Sequence, residues 1–360
     1  MSSIDEPKEV TELRKSLLAW NGIPQLEMCE PHEIEKATRI FHRDGFVVIK
    51  NALSPSHLQS LKKGVEREVQ NILQLDPKRR GNRGVNRYSF GGSSKTAHLL
   101  HIKEWVDLID VPTITPILIS IFDGNDNYHV RGGGGDFCMP GAYEYQPLHQ
   151  DMGNLSFNDK TNKLTFRDLP HPYVCVNYLV QDFTKVNGPT RQIPGTHHSN
   201  QPIPSFKEEP EWMKRSTLCG AHAGSAVIRD VRCWHGGTPN LSNECRAIPN
   251  CEYFAPYYSE PFQPSLPYNI YKTMTPFQKK ICRRTVIFPD EELNVNFGYD
   301  EKLRWERYYY GINSDKRNAE THPATKLIKD IKKKNKLKKS EKERRKRVDS
   351  EELRKKRAKI

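Results

Sequence analysis

From residue 136 to about residue 256 the chain is cut into short β-prone runs by closely spaced turn signals, and no other feature limits its fold as strongly. The runs at 174–180 (VCVNYLV) and 225–228 (SAVI) are rich in residues that suit a pleated, half-buried surface. Asn187-Gly188-Pro189 and Pro194-Gly195 lie between them and the stretch 239–243 (PNLSN) follows, and all three turn the chain. A parallel sheet would need a crossover helix between successive strands. Strands joined by short turns instead predict a sandwich or barrel.

The first ninety residues read as helices around one strand. Val10, Leu13, Leu17 and Trp20 keep helical spacing, and Pro31 sits near the start of a second helix carrying Ile34, Ile40 and Phe41 that Gly45 stops. The run 46–49 (FVVI) predicts a buried strand. Ser54-Pro55 then reads as the N-cap and first residue of a helix with Leu58, Leu61, Val65, Val69 and Ile72 on its core face. Residues 81–94 read as a loop, followed by a helix with Leu99, Ile102, Val106 and Ile109 on one side. Arg131-Gly132-Gly133-Gly134-Gly135 reads as a flexible break, since it lacks the Gly-Lys-Ser/Thr ending of a phosphate-binding loop. Pro249 is expected at a sheet edge or a bulge. Residues 1–43 thus form an N-terminal helical segment, and 257–325, rich in Tyr and Pro, form an extension packed on the body.

Charge divides the chain in another way. The formal net charge is +13, and residues 326–360 hold 18 Lys and Arg against six acidic residues, so the body is nearly neutral. A uniformly basic, histone-like protein is excluded. The basic tail is expected to be disordered or partly helical, and its runs 332–339 (KKKNKLKK) and 344–347 (RRKR) predict nucleic acid or an import receptor as partner. The expected location is cytoplasmic or nuclear, with a peroxisomal alternative resting on Ala358-Lys359-Ile360. Neither a secretory leader nor a membrane span is expected, because the longest apolar stretch, 114–122, is interrupted by Thr115, Pro116 and Ser120. The eight cysteines contain no C-x-x-C pair and are expected as reduced thiols.

The chemistry concentrates in a few residues. His149-Gln150-Asp151 puts an imidazole and a carboxylate two apart, which on an extended chain is the same face. With 13 His and 44 acidic residues in 360, about 1.6 such pairs arise by chance. The other one, His42-Arg43-Asp44, ends a predicted helix, where residues two apart diverge by about 200°; it reads as surface charge. His149 and Asp151 gain weight from His235 in the run 231–237 (VRCWHGG) and from Arg246 soon after it. Two histidines and one carboxylate form a facial triad that suits non-haem Fe(II) and leaves coordination positions open. Arg246 offers a fork of donors to a dicarboxylate. His197-His198 follows Pro194-Gly195 and reads as a turn cap, and His171, between two prolines, as a loop histidine.

Four stretches resemble the phytanoyl-CoA dioxygenase family of Fe(II)/2-oxoglutarate oxygenases: 44–54 (DGFVVIKNALS), 147–151 (PLHQD), 187–197 (NGPTRQIPGTH), and Trp234-His235-Gly236-Gly237 with Arg246. The resemblance covers roughly residues 40 to 256. It implies a mainly β fold with flanking helices around a double-stranded β-helix (jelly-roll, cupin-like) core, the oxygenase domain spanning 44–256. It further implies that His149, Asp151 and His235 hold iron and that Arg246 holds the distal carboxylate of 2-oxoglutarate. Lys95, in the stretch 95–101 (KTAHLLH), is implied as a second cosubstrate contact. Asn177 stands where some relatives place a tryptophan against the cosubstrate, and Gly237 where they often have a small hydroxyl residue.

The expected function is therefore hydroxylation of a small organic substrate with O2, 2-oxoglutarate being converted to succinate and CO2, and ascorbate in support. One alternative is a catalytically inactive scaffold, motivated by Asn177 and Gly237. Another is an oxygenase acting on a nucleic-acid-associated target recruited by the tail.

Overall fold

The computed structural model describes residues 7–19, 26–91, 98–152, 169–199, 201–215, 218–260 and 265–286. The expectations for Trp20, Lys95 and the basic tail lie outside the described residues. Nine strands follow in chain order: β1 (Met28–Cys29), β2 (Phe46–Ile49), β3 (Arg87–Phe90), β4 (His129–Cys138), β5 (Tyr173–Tyr178), β6 (Thr190–Gln192), β7 (Ala226–Asp230), β8 (His235–Gly237) and β9 (Arg246–Phe254). Seven of them form one sheet in the order β1-β2-β7-β5-β9-β4-β3, antiparallel throughout except at β1–β2. β6 and β8 form a smaller antiparallel sheet, which isolated bridges extend to Ala142, His149 and Asn187. This is the expected jelly roll, although β1 comes from a segment read as wholly helical.

Eight helices surround it: α1 (Lys8–Leu18), α2 (Ile34–Asp44), α3 (Pro55–Leu75), α4 (Lys103–Val106), α5 (Thr115–Ile121), α6 (Glu211–Arg215), α7 (Tyr268–Tyr271) and α8 (Pro276–Cys282). Gly45 ends α2 with φ +81°, and its N–H donates to Phe41 O at 2.8 Å. Ser54 caps α3 by accepting from His57 N at 3.2 Å, with Pro55 at the first position; such a cap is worth about 1 kcal/mol. Leu61, Val65, Val69 and Ile72 of α3 are buried, as their spacing predicts. They join Ile40 and Phe41 of α2, Ile117, Leu118 and Ile121 of α5 and Ile281 of α8 in one core. The described part of the C-terminal extension is thus packed on the body.

Strand periodicity sorts side chains between that core and an internal cavity. Val174, Val176 and Tyr178 of β5 face the helices, as do Ala226 and Ile228 of β7 and Ala247, Cys251 and Tyr253 of β9. Their alternates Asn177, Arg229, Arg246, Ile248, Asn250 and Glu252 line the cavity. Each large apolar residue buried on the outer face contributes about 1.5–3 kcal/mol, so the register that fixes the polar inner face is set by the apolar outer one.

Three expectations fail together. Residues 87–90, read as loop, form β3, and the glycine run, read as a flexible break, lies inside the ten-residue β4. The predicted helix through Leu99 and Ile109 shrinks to the four residues of α4. One contact explains all three. Leu99 N donates to Gly133 O at 2.8 Å and Trp105 Nε1 to Gly134 O at 2.7 Å, so residues 99–105 lie directly on the backbone of β4. A Cβ at Gly132 would strike the His98 ring, and one at Gly133 would meet Leu100 Cδ2 at 3.0 Å. The glycines are there for close approach; the Leu99 N–H is spent on the sheet, and the Trp105 indole is drawn to it while the Trp105 backbone N–H turns tightly onto Ile102 O. Pro249 also sits differently: the β5–β9 ladder ends at Asn177–Asn250, leaving only β4 beside it, and the irregularity in β4 falls at Val130/Gly132.

All eight cysteines are free, and no described helix is long and apolar enough to cross a membrane. Burial lowers the pKa of His101, His129 and His197 to about 4 in each case. The folded chain therefore binds fewer protons than the unfolded chain, whose histidines titrate near 6.5. Their contribution to stability is fully present above about pH 6.5 and is lost as pH falls through about 4. Urea midpoints measured from pH 7.5 to 4 are expected to fall steadily below pH 6.5, and a flat profile would contradict this.

Candidate active site

The site is built where a stretch of irregular backbone runs antiparallel to β8. His149 and His235 exchange both N–H···O hydrogen bonds at 3.0 Å, Gln146 N donates to Gly237 O at 2.9 Å, and Asp151 N donates to Val231 O at 2.9 Å. The imidazoles are thereby set side by side, with centroids 4.3 Å apart. Asp151, two residues beyond His149, reaches both: its Oδ1 is 3.6 Å from His149 Nε2 and its Oδ2 is 3.5 Å from His235 Nε2. One ligand atom from each residue lies within 4.8 Å of the others, the single such group found among the described residues.

Backbone carbonyls fix the tautomers. His149 Nδ1 donates to Pro147 O at 3.0 Å; His235 Nδ1 lies 3.0 Å from Cys233 O, which can only accept, and 3.2 Å from Arg229 Nη1, which can only donate, and a proton placed toward Cys233 O is the one that leaves Nε2 free to ligate. Each Nε2 is left with its lone pair, directed at the shared point, an outer-shell arrangement typical of metal-binding histidines. Burial, aided by the charge of Arg229, holds His235 well below the usual histidine range, so the ring is neutral at pH 7. Burial pushes the Asp151 carboxyl up, but His235, Arg229 and His149 together outweigh it and hold the group well below the usual carboxylate range. Arg229 Nη1 donates to Asp151 Oδ2 at 2.9 Å. His235 and Asp151 are thus in their ligating forms.

The same cavity, of about 230 Å³, is lined by Asn177, Arg229, Arg246 and Asn250 besides the triad. Arg246 is 1% exposed, and its Nε and Nη1 have no hydrogen-bond partner among the described residues. Three other guanidiniums lining the cavity have acids: Arg229 has Asp151, Arg131 has Glu252 at 2.5 Å, and Arg83 has Asp136 at 3.8 Å. Arg246 alone among them has none. Asn177 faces Asn250 across β5 and β9, and the two Nδ2 atoms donate to Cys175 Sγ at 3.5 and 3.4 Å. The structure thus gathers His149, Asp151, His235, Arg246 and Asn177 around one space, while Lys95 lies outside the described residues.

Arg229 is the principal residue that sequence reasoning missed. An arginine directly after a strongly β-prone run was the available signal, because in a half-buried strand it must face something polar. His171 lies in a loop as its prolines predict, but it is buried there, with Nδ1 donating to Asp230 Oδ2 at 2.5 Å and Nε2 2.7 Å from His42 Nδ1. That bond also draws His42 inward, while Arg43 and Asp44 pair at the surface as expected. His197 donates from Nε2 to His42 O at 3.1 Å, tying its turn to the end of α2.

A jelly roll enclosing two imidazoles and one carboxylate in ligating geometry defines the class of mononuclear non-haem metal proteins. Residues 41–248 match the Phytanoyl-CoA dioxygenase (PhyH) family, and the chain belongs to that family. It is 27% identical over 268 residues to Dioxygenase trt7 of Aspergillus terreus, covering 70% of this chain and 85% of that protein. It is 23% identical over 286 residues to Fe(II)/2-oxoglutarate-dependent dioxygenase nvfF of Aspergillus novofumigatus, covering 72% and 85%. Among solved structures, AviO1 from Streptomyces viridochromogenes is similar with a TM-score of 0.46 and 19% identity, over 63% of this chain and 97% of that one.

The Asp151–Arg229 pair generates a stability prediction. In metal-free protein Asp151→Ala leaves a buried guanidinium without its acid, which should cost about 3 kcal/mol, the low end for a broken buried pair because Asp151 opens onto the cavity. His149→Ala, which strands no charge, should cost less. Adding Arg229→Leu to Asp151→Ala should restore most of the loss, and equal urea midpoints for the two single variants would contradict the pairing.

Proposed function

We propose that this chain is an Fe(II)/2-oxoglutarate-dependent dioxygenase that oxidises a C–H bond of a small organic substrate. The observation that carries the reading is one cavity holding both a convergent His149–Asp151–His235 set and, in Arg246, a buried guanidinium whose Nε and Nη1 have no hydrogen-bond partner among the described residues. The residues fit both groups. Two imidazoles and one carboxylate suit Fe(II) with positions left open, whereas structural zinc sites are closed by four protein ligands. A buried arginine with unused donors fits a carboxylate brought in by a cosubstrate. Bound there, iron and 2-oxoglutarate supply an oxidation in which O2 gives one atom to succinate, formed with CO2, and the other to the substrate.

The protein's part is positioning and charge control. The Pro147 and Cys233 carbonyls hold the imidazoles in the tautomer that presents Nε2. Arg229 keeps Asp151 ionised and occupies one of its oxygens, which favours coordination through the other. Arg246 receives the far end of the cosubstrate, and Asn177 and Asn250 supply amide groups along the wall between.

Purified protein given Fe(II), ascorbate, O2 and 2-oxoglutarate is expected to release succinate. His235→Ala should lower the rate by more than the 10–100-fold that follows loss of an outer-shell partner. No succinate above background, together with unchanged metal retention in His235→Ala, would favour the scaffold reading. For the basic tail we retain nucleic acid or an import receptor as partner, independent of the chemistry. The proposed site residues all lie before residue 286, so a chain ending at residue 325 should keep its succinate rate; loss of that rate on truncation would tie the tail to catalysis.

A further inference from the structure

Gln192, within the stretch 187–197 (NGPTRQIPGTH), stands on the cavity wall beside one of the proposed metal ligands. It closes β6, and the β6–β8 register sets it directly opposite His235. His235 exchanges both of its backbone hydrogen bonds with His149 on its other edge, and the next pair along β6 is bonded, Ile193 N donating to Trp234 O at 3.0 Å. Gln192 and His235 are therefore a non-hydrogen-bonded pair, the kind that brings opposite Cα atoms to about 4.5 Å and the side chains closest together. His149, His235 and Gln192 thus stand in a row on one face, and all three line the cavity.

The neighbouring residue shows why Gln192 faces inward. Arg191 is buried on the other side of β6, where it donates to Glu209 Oε2 at 2.5 Å and to Gln146 O at 2.8 Å. Alternation along the strand then directs Gln192 to the cavity. Gln192 is 1% exposed, and its Oε1 is shut off from solvent with no hydrogen-bond partner among the described residues. A buried amide oxygen left in this way destabilises the fold, whereas an apolar side chain of the same size would leave nothing unmet. No described neighbour needs an amide there, so the group it serves is a ligand in the cavity.

The place of Gln192 narrows that ligand. Asp151 reaches His149 and His235 together, and Gln192 flanks His235 on the edge away from His149. An amide carries an acceptor oxygen and two N–H donors on one planar group. It can accept from water held by a metal ion, and after turning over it can donate to O2 that replaces this water. We infer that Gln192 is the hydrogen-bonding partner of the small ligand, water and then O2, at an open position of the metal beside His235, an inference that rests on the iron reading above.

Nitric oxide, which binds Fe(II) where O2 would but without turnover, is the probe. Protein loaded with Fe(II) and 2-oxoglutarate is titrated anaerobically with nitric oxide and followed by visible absorption and electron paramagnetic resonance. Gln192→Leu and Gln192→Met, which keep the size and remove the amide, are expected to bind nitric oxide about 3- to 10-fold more weakly, as for loss of one hydrogen bond, and to change the rhombicity of the iron–nitrosyl signal. Their affinities for 2-oxoglutarate and Mn(II) should stay at the wild-type value. Metal-free Gln192→Leu should have the same urea midpoint as the wild type or a higher one, because the folded chain loses no bond. Wild-type nitric oxide affinity and signal shape in both variants would overturn the inference, as would a lower urea midpoint, which would make the amide structural. A fall in 2-oxoglutarate affinity matching that for nitric oxide would also overturn it, by placing the amide on the cosubstrate. Failure of the unaltered protein to form a nitrosyl complex would instead reject the iron reading itself.

Discussion

The two backbone hydrogen bonds between His149 and His235 are the constraint on which the site depends. They join segments distant in the chain and set the imidazoles side by side before any side-chain interaction is counted. Asp151 follows, because its own N–H is fixed on Val231 O. The carbonyls that orient the rings belong to Pro147 and Cys233, each two residues before its histidine, so the same local backbone that aligns the chains also chooses the tautomers. A site assembled this way is held on the sheet rather than on mobile loops, and its geometry needs little rearrangement.

Electrostatics then decides what the cavity accepts. Most of its charges are already paired: Arg229 with Asp151, Arg131 with Glu252, Arg83 with Asp136. The exception is Arg246, whose Nε and Nη1 have no hydrogen-bond partner among the described residues. The cavity is thus asymmetric, with ligand atoms for a cation at one place and unused guanidinium donors at another. Net charge says nothing of this, since nearly all of the +13 lies in residues 326–360.

Much of this was legible in the sequence, and the exceptions share a cause. α2 with its Gly45 stop, β2, the Ser54–Pro55 start of α3, β5 and β7 all follow from local spacing and caps. His149, Asp151 and His235 were readable because their ligand chemistry restricts residue type and order. β3 and the glycine run of β4 were not, because their conformation is settled by residues 99–105 lying against the sheet, a tertiary contact with no local signature. The burial of His171 is not legible until Asp230 is seen beside it. Arg229 was missed for a related reason: strand alternation says that it faces inward only once the register is known.

The central claim is that one cavity holds both a metal ion and a 2-oxo dicarboxylate in contact with it. Anaerobic titration of metal-free protein with Fe(II) and then 2-oxoglutarate, followed by visible absorption, tests it most directly, since a 2-oxo acid chelating Fe(II) produces a charge-transfer band that neither component gives alone. The band should reach its maximum at one iron and one 2-oxoglutarate per chain and be absent in Asp151→Ala. Absence of the band in the unaltered protein, or its persistence in Asp151→Ala, would contradict the account.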